Sequence, residues 1–192
     1  MLVAVAAFGL RRIIHRHVMK TENPYSYALI ENVLTALAFL PLVISEFAIP
    51  TAGIAWVLLA ASSRLYIFVA LTGYLSYKYT PVTLKDPISQ SNMVFVLLLS
   101  AVFLSEAITA KKLIGTAAIF LGLLVLTYKK RKLFGWLSDK GVQITMLSAF
   151  LYAIVSIIDK AAMNYFTPGM YGFLVYLIPG IILLTFVQKR QK

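Results

Sequence analysis

Seven apolar runs, at roughly 2–18, 26–45, 54–76, 84–105, 110–128, 142–160 and 169–188, follow one another with short gaps. A helix needs about 20 apolar residues to cross a hydrocarbon core about 30 Å thick. Barrel strands would be half as long, with a polar residue at every second position. Here both faces of each run are apolar, so the runs read as helices. The breakers fall between them: Pro24, Pro50 with Gly53, Pro81, Thr109, Gly135 and Pro168. No connection is long enough for a separate soluble domain. The expected fold is all-α, a polytopic transmembrane helix bundle of about seven helices.

The charge distribution agrees with a lipid bilayer as solvent. The chain is 60% hydrophobic and 13% charged, with a net charge of +11 and a mean hydropathy of +0.85. In a soluble domain such a charge would suggest nucleic acid. Here most Lys and Arg sit at the ends of apolar runs, where they anchor helices to headgroups, so no nucleic-acid partner is expected. Cysteine is absent, which removes disulfides and thiolate metal sites. His15 and His17 are two apart, face different sides of a helix and do not form a chelating pair. Neither a metal nor a cofactor is expected.

The turn "SEAITAKK" (105–112) separates two of the runs. Thr109 suits an N-cap there, and Lys111 and Lys112 can snorkel to the headgroups. Gly115 and Gly122 lie seven apart and share one face, which suits close helix packing in lipid.

Shifting the chain by 144 residues lays "IIHRHVMKTENPYSY" (13–27) on "IIDKAAMNYFTPGMY" (157–171) without a gap. Ile13, Ile14, Met19, Pro24 and Tyr27 meet Ile157, Ile158, Met163, Pro168 and Tyr171, and Arg16 meets Lys160. The apolar runs beyond also coincide. The repeat unit therefore holds five helices, and an odd number makes the second copy enter the membrane from the opposite side. The domain reading is a first five-helix unit over 1–128, a basic linker at 129–141, and the first two helices of an inverted, incomplete unit over 142–192. On this reading about three C-terminal helices are missing.

The stretch "YTPVTLKDPISQSNMVFVLLLSAVFLSEAITAKKLIGTAAIFLGLLVL" (79–126) resembles the fourth and fifth helices of EamA-type transporters, of the drug/metabolite transporter superfamily. Pro87, Phe95, Phe103, Leu104, Glu106, Thr109, Gly115 and Gly122 carry the likeness, and "NPYSY" (23–27) fits it. The resemblance implies ten helices in two inverted five-helix units, and export or exchange of small metabolites by alternating access. Two departures fall in the fourth helix: Asn92 stands where a second proline is expected, and Lys85-Asp86 where apolar or hydroxyl residues are.

Charges within the runs are the candidate pathway residues. A charged side chain at the membrane centre costs at least about 2.5–3.5 kcal/mol unless paired or wet. Glu31, with Tyr27 and Thr35, forms a polar stripe at four-residue spacing. Glu31 either pairs with Arg11, Arg12 or Arg16 or lines a cavity. Arg64 lies near the middle of its run and either pairs with a neighbouring acid or binds an anionic substrate. Ser148, Tyr152, Ser156 and Asp159 form a second stripe, in which Asp159 is the repeat counterpart of His15. Asn92 is a further candidate, for the pathway or for an interhelical hydrogen bond.

The expected function is a secondary transporter for a small-molecule substrate, with proton coupling and a homodimer as further expectations, in the cell membrane. The other reading is a non-transporting fragment or partner subunit that dimerises to complete a pathway. An enzyme is not expected: there is no P-loop, no paired acids on one helix and no metal-spaced histidines. A retinal protein would need a Lys inside 169–188, which has none. Orientation is contested. Turns on one side carry twelve basic residues against three on the other, which places the 129–140 loop in the cytoplasm, whereas the resemblance implies the reverse.

Overall fold

The computed structural model describes residues 10, 14, 15, 17, 18, 22–128 and 139–190, with backbone alone for 82, 120, 123, 124, 126–128 and 188–190. Among the described residues the chain is helical and has no strand. The helices are α1 (Pro24–Ser45), α2 (Gly53–Tyr79), α3 (Val82–Ser89), α4 (Asn92–Phe103), α5 (Ala110–Tyr128), α6 (Lys140–Ala162) and α7 (Pro168–Arg190). Within the 2–18 run, the described residues Leu10, Ile14, His15, His17 and Val18 are helical. Most of the expected linker lies outside the described residues.

Among the described residues five stretches are long and apolar enough to cross a membrane: Pro24–Ser45, Gly53–Tyr79, Thr83–Phe103, Lys140–Ala162 and Pro168–Val187. Their outward residues include Leu34, Val57, Val102, Leu147 and Ile181, all exposed. A water-soluble surface does not carry apolar area on this scale, so the chain is a multi-pass membrane protein.

The run 84–105 corresponds to one membrane-span candidate, Thr83–Phe103, but it is interrupted at Gln90 and Ser91 into α3 and α4. Pro87 has no N–H to give and its ring crowds the carbonyl one turn earlier. The joint tightens accordingly to bonds three residues apart, from Gln90 N to Pro87 O (3.1 Å), Ser91 N to Ile88 O (3.0 Å) and Val94 N to Ser91 O (3.0 Å). It leaves Ser91 Oγ and Asn92 Oδ1 buried without a partner among the described residues.

The chain forms two compact units that interleave along the sequence, one of Met1–Asn23 with Thr72–Ala153, the other of Pro24–Leu71 with Ile154–Lys192. Helices α2 and α6 each contribute a part to both. In the first unit, Ile88 of α3 and Val142 of α6 are buried together, with Leu84 and Met146 against them. Buried His15 sets its ring edge-on to Tyr74 and Tyr77, and the Lys85 ammonium lies over the Tyr77 ring. His17 is exposed, so the two histidines do face different ways. The Thr109 hydroxyl accepts the Lys112 N–H at 3.4 Å as a loose N-cap of α5, while the Lys112 ammonium pairs with Glu106 at 3.0 Å.

In the second unit, α1 and α7 pack along their length. Both begin on proline, Pro24 and Pro168, which the 144-residue shift superposes. Proline suits a first helical position, where its missing N–H is not needed. Their contacts fix the direction. A Cβ added at Gly169 would lie 2.9 Å from the Leu42 carbonyl carbon, one at Gly172 would strike the Phe39 ring, and one at Gly180 would lie 3.4 Å from Val33 Cγ2. As one residue number rises the other falls, so α1 and α7 run antiparallel. Small residues make the approach possible. Gly172 and Gly180 are the counterparts of Ala28 and Ala36, and all four are buried. At the Leu42 end the Thr167 hydroxyl donates to the Glu46 carbonyl at 3.0 Å, and Val43, Ala55, Leu59, Ala162, Phe166 and Met170 close a core.

Candidate functional site

The second unit holds two polar features built largely on α2. Ser62 and Tyr66 are four apart and share one face of that helix. Asp159 lies one turn from the end of α6, and Tyr171 in the first turn of α7. These elements meet at the Leu42–Gly169 end of the helix pair. Ser62 Oγ donates to Asp159 Oδ1, Tyr171 donates to the same oxygen at 2.6 Å, and Tyr66 donates to Oδ2 at 3.3 Å. A carboxylate offers about four acceptor sites; three hydroxyls from two other helices occupy most of them. Such a charge-assisted cluster can hold an acid in an apolar interior, or exchange a proton or small cation for it.

Arg64 stands two residues beyond Ser62, so its side chain leaves α2 about 200° further round, away from the acid. It is eleven residues from Gly53, about 16 Å along a helix about 40 Å long. A cavity of about 540 Å³ opens beside it, lined by Tyr25, Arg64, Ile67, Phe68, Leu71, Ile182, Leu183 and Phe186. Arg64 is exposed there. Among the described residues no hydrogen-bond or ion-pair partner meets its guanidinium.

Of the residues singled out from the sequence, the structure brings Asp159 into the hydroxyl cluster and Arg64 into the cavity. Tyr27, Glu31 and Thr35 sit half-buried on α1, outside both. The Thr35 hydroxyl bonds back to the Glu31 carbonyl at 2.7 Å, the local habit of hydroxyls in membrane helices. Glu31 is engaged in an interaction, but its proposed partners Arg11, Arg12 and Arg16 lie outside the described residues. Ser148, Tyr152 and Ser156 lie on α6, each engaged in an interaction. Asn92 lies at the α3–α4 joint. Gly115 and Gly122 are exposed on α5, and a Cβ at either would meet nothing within 4 Å.

Sequence reasoning passed over Ser62, Tyr66, Tyr171 and Tyr25. For Tyr171 a signal was present, since the repeat pairs it with Tyr27. Ser62 and Tyr66 belong to no motif and become visible only when α6 packs against α2.

The family model for EamA-like transporters matches residues 1–128, two thirds of the chain. Compared with curated proteins, the chain matches none.

Proposed function

This chain belongs to the EamA-like transporter family, and from that premise we propose that it is a secondary transporter of the cell membrane rather than an enzyme. It moves small metabolites by alternating access between two inverted repeats. The observation that carries this reading is the α1–α7 pair. Two helices that a 144-residue shift makes equivalent begin on equivalent prolines and pack antiparallel. A two-fold axis in the membrane plane relates equivalent helices in that way, and transporters built on such axes keep their substrate site at the repeat interface.

Asp159 supplies the coupling site in this proposal. An acid inside the membrane that is cradled by three hydroxyls can take up a proton and be released from its donors, which changes how α2, α6 and α7 are tied together. The groups facing it are Ser62 and Tyr66 of α2 and Tyr171 of α7. Tyr27, Glu31, Thr35, Asn92, Ser148, Tyr152 and Ser156 remain proposed pathway residues. Gly115 and Gly122 offer an exposed face of α5 on which a homodimer could form.

Proteoliposomes holding the full chain test the reading. A panel of small metabolites is screened for uptake with and without a pH gradient, against empty liposomes. The expected result is uptake of at least one compound that responds to the gradient, with the response lost in Asp159→Asn. Uptake equal to that of empty liposomes across the panel would sink the transporter reading.

A further inference from the structure

We propose that the cavity beside Arg64 binds a small amphiphilic organic acid, with its carboxylate or phosphate head on the guanidinium and its apolar body among Ile67, Phe68, Leu71, Ile182 and Phe186. This names a substrate class for the transporter proposed above and rests on that reading. Three observations carry it. First, Arg64 is too deep in α2 to reach a headgroup layer easily, and an unmatched charge at that depth is costly. Second, the acids that could have matched it are committed elsewhere. Asp159 is taken by three hydroxyls on the far side of α2, and Glu31 has an interaction of its own. Third, the rest of the cavity wall is apolar apart from the Tyr25 phenol.

The same wall excludes other classes. A sugar would bury hydroxyls with almost nothing to bond them, so their lost hydration would go uncompensated. A zwitterion would need an acid for its ammonium, and no carboxylate lines the cavity among the described residues. A cation meets Arg64. An acid with an apolar body leaves neither partner unmatched, because the planar guanidinium grips carboxylate or phosphate with paired N–H donors. The volume suits a ligand of modest size.

The test is equilibrium binding to the full chain in phosphatidylcholine nanodiscs, with three probes that share one body: 4-phenylbutyrate, 4-phenylbutanol and 4-phenylbutylamine. The acid is expected to bind about tenfold or more tightly than the alcohol or the amine, as a charge-assisted contact gives. Arg64→Gln should erase that preference and Arg64→Lys keep part of it, with thermal unfolding of both variants showing that they are folded. Equal binding of the three probes, or a preference that survives Arg64→Gln, overturns the proposal. Loss of acid binding in discs containing phosphatidylglycerol also overturns it, since the occupant is then a lipid headgroup. Binding is read without transport, so the two readings fail separately. An acid that binds without uptake removes the transporter and leaves the site, whereas uptake of neutral compounds without acid binding does the reverse.

Discussion

At one end of the α1–α7 pair, Gly169 lies against the Leu42 backbone; at the other, the equivalent positions Tyr25 and Phe186 line a cavity. The repeat shift exchanges Gly169 with Tyr25 and Leu42 with Phe186. One end therefore sets a hydrogen side chain against a leucine and closes, while the other sets two large rings around a hollow. The closed end also carries the Thr167–Glu46 bond and the Asp159 cluster, whereas the hollow end carries an arginine with no partner among the described residues. A repeat that keeps its backbone while changing side-chain volume at equivalent positions can produce two different ends from one architecture. The proposed alternating-access mechanism would show such an asymmetry in any one of its states.

The largest expected effect is at the closed end. Gly169→Val would push a branched side chain into the Leu42 backbone, which cannot swing aside as a side chain could. It should destabilise the chain by about 3 kcal/mol, at the top of the overpacking range, read by thermal unfolding in detergent. Tyr25→Ala at the equivalent position borders a cavity already and should cost under about 1 kcal/mol. Equal losses would erase the difference between the ends.

Next comes Asp159→Ala, which leaves the Ser62, Tyr66 and Tyr171 hydroxyls without their shared acceptor and should cost about 1–3 kcal/mol. Asp159→Asn keeps one acceptor oxygen and should cost less in the same unfolding measurement. If neither variant shifts the midpoint, the cluster does not tie the closed end together.

Arg64→Gln should behave in the opposite sense, with stability unchanged or raised by about 1 kcal/mol, because an unmatched charge leaves the membrane interior. A fall in stability would mean that Arg64 is structural and that the hollow end is not a binding site. The smallest effects fall away from the pair. Asn92→Ala removes a buried oxygen that has no partner among the described residues, so it should be neutral or mildly stabilising, by under about 1 kcal/mol. Gly122→Leu should stay within about 0.5 kcal/mol for the single chain. A drop in dimer fraction on native gels would locate a homodimer on α5.

Much of this was legible beforehand, for definite reasons. Crossing a bilayer demands length and apolarity, so the helices are written in the runs themselves, and Pro24 and Pro168 mark two helix starts with no tertiary help. The α3–α4 joint was missed although Pro87 was in view, because a membrane helix can absorb a proline or break at it, and neighbouring packing decides which. Arg64 and Asp159 stood out because charge in an apolar run is expensive wherever it points. Tyr66 and Ser62 did not, because a hydroxyl can satisfy itself on its own backbone and so carries no such alarm.

Sequence alone determined that this chain lives in a membrane and that it is helical, since both follow from local composition, and self-comparison alone brought out the 144-residue shift that lays Pro24 on Pro168. Only the tertiary structure decided that α1 and α7 run antiparallel, that Asp159 is held by three hydroxyls while Arg64 faces a cavity, and that positions paired by the 144-residue shift close one end and leave the other hollow. The reason is physical: insertion depends on what a segment is made of, whereas pairing and cavities depend on which side chains from distant segments arrive at the same place, and on how much room they leave.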